Sequence, residues 1–282
     1  MTELVVRRLL IDLQTPFPAR WCGDDAFRSA FFNALSMSFP VGEQYFIDSV
    51  RRGLESMPAE HRHALAGEVQ AFIGQEATHR RLHGLFNANL ERLGLRNWIA
   101  ERTSGRIRRQ ADFDLRNHVA GTAATEHFTA LFADWLLRHP EVLDGAEPRL
   151  KLLWLWHCAE ESEHRSTAFD VYHRLGGNHL WRVRVFRYVS TVFLVDVLMQ
   201  TLRNLWHEGS LWHWRTWRSG WRLLMSRDGL LRGNYAAWHD YMAPAFHPRQ
   251  LDDSLARRWL REHAEAFTVV GASLPEHTPA TA

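Results

Sequence analysis

The chain has 282 residues, an apolar fraction of 46% and a formal net charge of +2, which is enough for one large globular domain or two small ones. The near-neutral charge argues against nucleic acid as a partner, and two cysteines, Cys22 and Cys158, are too few for a disulfide framework. Residues 1–18 lack a signal-peptide core, and no apolar run reaches the about 18 residues that suggest a spanning helix. We therefore expect a cytoplasmic protein with no transmembrane segment.

Residues 1–23 are expected to form an irregular N-terminal arm. Helical periodicity begins after it. From residue 24 to about residue 52, apolar side chains recur every four positions, which predicts a first helix. Pro40 lies inside it and is expected to kink or restart the helix, because proline lacks the backbone N–H that helix continuation uses. A second long helix is predicted over residues 59–93. Residues 94–110 are polar and arginine-rich and are interpreted as a connection.

Two more helices are predicted further along the chain. The third spans residues 113–137, and the fourth spans residues 146–175 and is closed by the pair Gly176-Gly177. Four helices with connections of these lengths are typical of an antiparallel bundle, with room for a longer crossover between the second and the third. We therefore predict an all-α fold with a four-helix bundle over residues 24–177.

The C-terminal part of the chain differs in composition from the bundle. Eight of the 13 tryptophans follow residue 180, and those between residues 206 and 221 are interleaved with arginines. Residues 178–270 are predicted to form an aromatic-rich helical extension packed on the bundle, and residues 271–282 a disordered tail. The Trp/Arg segment at 206–221 can be interpreted as a cover over a pocket, as a membrane-interface segment or as an additional layer of core. We favour packing with partial lining of a pocket.

Potential metal ligands recur on all four predicted bundle helices. The first and third helices each carry one glutamate, and the second and fourth each carry Glu-x-x-His, whose two ends share one helix face. The fourth helix adds a histidine one turn before its Glu-x-x-His. This is the ligand order of a four-helix di-metal carboxylate site. The seven candidate ligands, which are also the candidate catalytic residues, are Glu43, Glu76, His79, Glu126, His157, Glu161 and His164.

The donor types indicate which metal such a site would hold. Four carboxylates directed at one core would repel one another, and two divalent cations remove that conflict. Carboxylate and imidazole donors without thiolate suit iron or manganese better than copper(I) or structural zinc. Two iron ions are therefore the predicted cofactors, and two manganese ions or a mixed pair fit the same donors. Any one glutamate could instead be an exposed helix residue, but all seven in this order favour a metal site.

Residues beside the ligands are expected to orient them. Gln75 and Glu160 each directly precede a ligand and are placed to reach the histidine of the facing helix. His83 lies one turn beyond His79 and is a candidate supporting residue or further ligand. Thr122 lies on the third helix, one turn before its glutamate, where it is a candidate for lining a pocket.

The order and spacing of the seven ligands resemble the ferritin-like di-iron oxygenases of the p-aminobenzoate N-oxygenase family, which share the additional histidine found here as His157. Three motifs are similar to a bacterial family labelled "predicted metal-dependent hydrolase", and this resemblance extends over most of the chain. These motifs are Phe39-Pro40-x-Gly42-Glu43, Gln75-Glu76-Ala77-x-His79 and Glu160-Glu161-x-Glu163-His164. The resemblance implies a ferritin-like four-helix bundle with a di-metal centre and additional C-terminal helices.

The leading functional hypothesis is a non-haem di-iron oxygenase or oxidase that uses dioxygen as co-substrate to oxidise a small, hydrophobic or lipid-like organic molecule. Its electrons would come from an external donor, because the sequence has no glycine motif for a dinucleotide. One alternative is a di-metal-dependent hydrolase that acts through a metal-bound hydroxide. Another is a ferritin-like iron-handling protein. A homodimer is compatible with each of these hypotheses.

Overall fold

The computed structural model describes residues 4–271, and nearly all regular structure in this range is α-helical, which confirms the predicted all-α fold. A small antiparallel sheet pairs β1 (Arg7–Leu9) with β2 (Phe267–Val269). Beyond Gly271, the predicted disordered tail lies outside the described residues. The helices are α1 (Ala26–Glu55), α2 (Ala59–Arg92), α3 (Trp98–Arg109), α4 (Leu115–Arg138), α5 (Pro148–His164), α6 (Thr167–Arg174), α7 (His179–His207), α8 (Trp214–Met225), α9 (Leu230–Gly233), α10 (Tyr235–Asp240) and α11 (Ser254–Glu262).

The N-terminal arm is not irregular throughout, because it contains β1. Arg7 lies opposite Val269 in the sheet, and the pairing continues beyond the strand where the amide of Leu10 donates to the carbonyl of Ala266 at 2.8 Å. A strand of three residues is too short to show a period-two pattern. The sequence therefore gave no sign of it.

Helix α1 runs through Pro40 without restarting, contrary to one of the two outcomes expected there. Proline removes the hydrogen bond to the carbonyl four residues earlier and crowds the previous turn. The carbonyl of Ser36 accepts instead from Asn87 Nδ2 at 2.9 Å, and the carbonyl of Met37 accepts from Asn97 Nδ2 at 3.0 Å. Two asparagine side chains thus satisfy the carbonyls at the proline, and the helix continues.

The segment interpreted as a connection, residues 94–110, is mostly the helix α3. Its start is capped by the side chain of Asn97, which accepts from the amide of Ala100. Two of its arginines have a structural role. Arg102 and Arg106 donate to the buried carboxylate of Asp196 on α7 at 2.8 and 2.5 Å. These ion pairs need a partner about 90 residues away, which local periodicity does not reveal.

The helix predicted over residues 146–175 is interrupted between α5 and α6. The break falls at Arg165, whose guanidinium donates to the carbonyls of Ser162, Pro248 and Leu251. Arg165 therefore fastens the C-terminal loop to the bundle at the point where α5 ends. The last ligand candidate, His164, is the final residue of α5.

The core consists of two apolar clusters, and the ligand candidates lie between them along every bundle helix. On α2, Val69 and Phe72 belong to one cluster and Leu82 and Phe86 to the other. The same division occurs on α1 and α4, whereas α5 contributes to one cluster and α6, which follows it, to the other. The polar centre is therefore enclosed by apolar packing at both ends of the bundle.

The helices after residue 178 pack around the bundle, with α7 along α1 and α4, α8 against α1, and α11 against α5. The tryptophans at 206–221 do not form the additional core layer that the sequence favoured. Their exposed fractions range from 44% for Trp217 to 80% for Trp212. Helix α8 instead buries Thr216, Gly220 and Leu223. Small residues face the bundle, and the aromatic residues face outward.

Candidate metal centre

The structure brings all seven candidate ligands together in the middle of the bundle, in two adjacent groups. One ligand atom from each residue of a group lies within 4.8 Å of the others, and all seven side chains are buried. The three-residue group is Glu43, His79 and His157, and the four-residue group is Glu76, Glu126, Glu161 and His164.

Glu161 stands between the two groups. Its Oε1 lies 2.9 Å from His157 Nε2 and 3.3 Å from His79 Nδ1, in the three-residue group. Its Oε2 lies 3.5 Å from His164 Nε2, in the four-residue group. A carboxylate whose two oxygens face different clusters of donors is placed to bridge two cations.

Many buried polar atoms at this centre have no hydrogen-bond partner, which tests whether the residues fit a metal pair. Leaving a buried oxygen or nitrogen unsatisfied costs free energy, and a cation that accepts their lone pairs removes the cost. The residues present therefore fit two divalent ions. The unsatisfied atoms are both carboxylate oxygens of Glu43, Glu76 and Glu126, together with Glu161 Oε2, His79 Nδ1 and His164 Nε2.

The carboxyl groups at the centre differ in how readily they ionise when only the protein's own groups are considered. Burial raises the pKa of Glu43 and of Glu126 well above the usual carboxyl range, and neighbouring carboxylates raise both further. Burial also opposes ionisation of Glu161, but the nearby histidines, His164 first among them, lower its pKa well below the usual range. Such opposed shifts within one buried cluster are typical of a functional site.

The histidines also differ in their preferred protonation state. Burial lowers the pKa of His157 to about 4. For His79, burial lowers the pKa, but the carboxylates of Glu160 and Glu161 outweigh it and raise the pKa to about 10. A bound cation competes with these protons, because a metal ligand must present an unprotonated nitrogen. Metal binding at this centre should therefore release protons.

The two residues predicted to reach across the bundle do so. His79 Nε2 lies 3.0 Å from Glu160 Oε2, and His164 Nδ1 lies 2.9 Å from the side-chain oxygen of Gln75. Each contacted nitrogen must carry the proton, since both partners accept there. This leaves His79 Nδ1 and His164 Nε2 as the nitrogens that face the centre, which are the two without hydrogen-bond partners.

A further chain of hydrogen bonds fixes His157. Ser36 Oγ donates to Asn87 Oδ1 at 2.8 Å and therefore accepts from His83 Nδ1 at 2.9 Å. His83 Nε2 then accepts from His157 Nδ1 at 2.7 Å. The result is a His157 whose Nε2 lone pair faces the centre. Both nitrogens of His83 are engaged, so the structure places it as a support for His157 and not as an eighth ligand.

Thr122 does not line a pocket beside the ligands, as the sequence predicted. Its hydroxyl bonds to Ser49 Oγ at 2.6 Å and to the carbonyl of His118, and within residues 4–271 no hydrogen bond joins it to a candidate ligand. The position one turn before Glu126 instead belongs to a small polar contact between α1 and α4.

Sequence reasoning missed Arg7 as a supporting residue. Its guanidinium donates to Glu160 Oε1 at 3.1 Å and to both oxygens of Glu163 at 2.6 and 3.0 Å. Glu163 Oε2 in turn accepts from Gln75 Nε2 at 3.0 Å. Glu163 could have been noticed, because it lies within the Glu-Glu-x-Glu-His motif. Arg7 had no signal, since it acts from the distant N-terminal arm.

Two apolar cavities, of 560 and 490 Å³, adjoin the centre and share the lining residues Phe39, Thr129 and Phe193. The ring of Phe39 lies 4.9 Å from that of His157, centroid to centroid. The hydroxyl of Thr129 donates to the carbonyl of Glu126. None of the seven candidates lines either cavity, and the larger polar cleft of 1530 Å³ beside α8 lacks Phe39 and Thr129 as well. Apolar molecules thus have a place to bind next to the ligands.

Comparison with known proteins agrees with a metal-dependent activity. The chain matches, over residues 5–252, the model of a family described as "Predicted metal-dependent hydrolase". No curated protein and no solved structure matches it. The resemblance to the p-aminobenzoate N-oxygenases stays a prediction. A buried histidine and carboxylate cluster in a metal-dependent family indicates a metal cofactor. The match covers most of the chain, which therefore belongs to the predicted metal-dependent hydrolase family.

Proposed function

We propose that this protein is an enzyme whose active site holds two divalent cations between the seven ligand candidates. The observation that supports this most directly is that six of the seven candidates carry buried oxygens or nitrogens without hydrogen-bond partners, gathered in two adjacent groups. Glu161 is the proposed bridge between the two cations. Gln75, Glu160 and His83 hold the three histidines in the orientation that binding requires.

Hydrolysis is the reaction that the family description supports. When bound, a pair of divalent cations supplies a water of lowered pKa and polarises an ester or phosphoester oxygen. The chain's own residues fix the donors, and the apolar lining around Phe39 and Phe193 excludes bulk water and binds the apolar part of a substrate. We therefore propose an ester or phosphoester with a hydrophobic or lipid-like group as the substrate class.

A second candidate is oxidation of an apolar substrate with dioxygen. The donor set favours it, because four carboxylates and three imidazoles without thiolate suit iron or manganese. Two iron ions would then be the cofactor, and electrons would come from an external donor. The apolar cavities beside His157 suit a hydrophobic substrate in this reaction as well.

Metal stoichiometry tests the site itself. Purified protein should hold close to two metal ions per chain, since two groups of donors are present. Glu76→Ala and His164→Ala should each lose at least one ion. Thr122→Val is the matched control, because it alters a buried residue beside Glu126 that has no bond to a ligand. Full metal occupancy in both ligand variants would disprove the proposed site.

Anaerobic chemistry separates the two reactions. The loaded protein should hydrolyse a p-nitrophenyl ester of a medium-length acyl chain without reductant and without oxygen, and a chelator should stop the turnover. Rapid mixing of the reduced, iron-loaded protein with oxygenated buffer tests the second candidate. An absorption transient that needs dioxygen, in a protein that turns over no ester or phosphoester, would replace hydrolysis by oxidation.

A further inference from the structure

Helix α8 presents two parallel stripes to the outside, one of tryptophan and one of arginine. Both stripes repeat with the spacing i, i+3, i+7, so each runs along one side of the helix. All six side chains are exposed, and the guanidinium of Arg218 lies 4.5 Å from the ring of Trp214. We call this surface the Trp/Arg face. It consists of Trp214, Arg215, Trp217, Arg218, Trp221 and Arg222.

The packing of α8 on α1 enforces this orientation. A Cβ atom at Gly220 would lie 2.6 Å from the ring of Phe27, so only glycine lets the two helices approach this closely. Thr216 and Leu223 complete the contact surface. The contact at Gly220 therefore keeps the tryptophans on the outer side of α8. Burying them would require α8 to rotate about its own axis. Exposing tryptophan rings to water costs free energy. A contiguous group of them therefore indicates a surface that binds a partner or a membrane.

The neighbouring helix α7 adds an exposed apolar stripe. Leu194, Val195, Leu198 and Met199 are each 40–47% exposed, and they follow one another along one side of the helix. By length and composition alone α7 could span a membrane, and only 33% of its most apolar stretch is buried. Its other side carries the buried Asp196, which is paired with two arginines of α3. That buried ion pair ties α7 to the bundle and favours lying at a membrane surface over crossing it.

The second apolar cavity lies between the two helices, with Leu224 of α8 in its lining. It is lined by Leu194 and Leu198 from the α7 stripe and by Leu231 and Tyr235, which are 38% and 65% exposed. Its inner end is lined by Phe39, next to the metal centre. The cavity therefore extends from an exposed apolar surface to Phe39, which packs against the ligand candidate His157.

Charge decides which partner this surface fits. Six arginines and only two acidic residues lie between residues 203 and 232, and one of these acids, Glu208, is paired with Arg20. In the described range, Arg215, Arg218 and Arg222 form no ion pair with a carboxylate. A second copy of this chain would bring the same arginines face to face. An anionic lipid surface is complementary to them.

We propose that the Trp/Arg face and the apolar stripe of α7 dock this protein on the surface of an anionic lipid bilayer. The tryptophan rings would lie at the level of the headgroups, where such rings are favoured, and the arginines would contact lipid phosphates. The mouth of the second cavity would then face the acyl chains. This docking is independent of the proposed reaction and does not require metal.

Vesicle binding by the full chain tests the proposal. The probes are unilamellar vesicles of phosphatidylcholine alone and of phosphatidylcholine with about a third phosphatidylglycerol, an amount that gives a strongly negative surface. The protein should co-sediment with the anionic vesicles and less with the neutral ones, and brominated acyl chains should quench its tryptophan fluorescence. Added salt should weaken the binding, because surface charges are screened.

Two sets of variants identify the residues responsible. Replacing Arg215, Arg218 and Arg222 by Gln should lower the partition coefficient at least about tenfold, because each surface arginine contributes to attraction by anionic lipid. The matched control replaces Arg62, Arg81 and Arg92, three exposed arginines of α2, and should bind normally. A Trp214→Gln and Trp221→Gln double variant should show weaker fluorescence quenching and keep its helix content.

Several results would overturn the proposal. These are failure of the intact chain to bind either kind of vesicle, or equal loss of binding in the α8 variant and the α2 control. A concentration-dependent dimer that the tryptophan variant abolishes, with no vesicle binding, would assign the face to a second copy of the chain.

Discussion

Glu160 Oε2 lies 3.0 Å from His79 Nε2, so a residue of α5 that is not itself a ligand sets the orientation of a ligand on α2. The other oxygen of Glu160 accepts from Arg7. His79 is thus held by a relay that begins in the N-terminal arm. Such carboxylate–histidine contacts orient the ring and make its free nitrogen a stronger donor to metal.

We predict that Glu160→Gln weakens metal binding by about 10- to 100-fold while the fold is retained, because the carboxamide can still accept from His79 but carries no charge. Competition with a chromophoric chelator measures the affinity, and circular dichroism checks the helix content. The Thr122→Val variant should bind metal like the wild type. Unchanged affinity in Glu160→Gln would show that the contact with His79 is only structural.

Glu126→Gln should change stability in opposite directions with and without metal. Burial raises the pKa of Glu126 well above 4.5, so ionising it in the folded protein costs free energy that a neutral amide does not. In chelator-treated protein at neutral pH, the variant should be more stable by about 1–3 kcal/mol. In metal-loaded protein it should be less stable, because it removes a ligand.

The pH dependence of this effect has a definite sign. A carboxyl with a raised folded-state pKa imposes no cost at pH values below its ordinary value of 4.5, and the cost grows as the pH rises toward the folded-state value. The advantage of Glu126→Gln in chelator should therefore disappear below pH 4.5. Thermal unfolding across pH measures it, and an advantage that does not depend on pH would contradict this account.

Two glycines of α2 offer a matched pair of substitutions. A Cβ atom at Gly74 would lie 2.5 Å from a methyl group of Val6, whereas one at Gly67 would meet nothing within 4 Å. Gly67→Ala should stabilise the protein by about 0.5–1 kcal/mol, as expected for a helix interior. Gly74→Ala should displace the arm, weaken metal binding through Arg7 and lose that gain. Equal stabilisation by both would mean that the arm does not support the site.

Phe193 lines both apolar cavities and is not one of the ligand candidates. Phe193→Ala should join and enlarge the cavities, so that a fluorescent fatty acid of greater bulk binds more tightly while metal content stays the same. Phe113→Ala, at an exposed edge of the first cavity, is the control and should change the binding little. Loss of metal in Phe193→Ala would show that the cavity wall instead holds the centre in place.

The sequence predicts the parts of this molecule that depend on local spacing. The seven candidates could be found because helical periodicity places Glu76 with His79 and Glu161 with His164, and the reach of Gln75 across the bundle follows from its place beside a ligand. Features that depend on distant contacts could not be found. The role of Arg102 and Arg106 depends on Asp196, which lies about 90 residues away on α7.

The exposed tryptophans show a different limit. Composition alone favours burying aromatic rings, and the sequence did not decide between packing and a membrane-interface segment. The reason is steric and lies in a pair of helices, because Gly220 brings α8 so close to Phe27 that small residues must face the bundle. Only the three-dimensional packing shows which side of an amphipathic helix is buried against the core.

The pairing of β1 with β2 sets the order in which the site can mature during synthesis. Arg7, which supports Glu160, is made well before the strand that fixes it, Phe267–Val269. The bundle helices can therefore form before the arm is secured. A chain ending at residue 262 should keep its helix content yet bind metal more weakly than the full chain. Equal affinity would show that the arm finds its place without its partner strand.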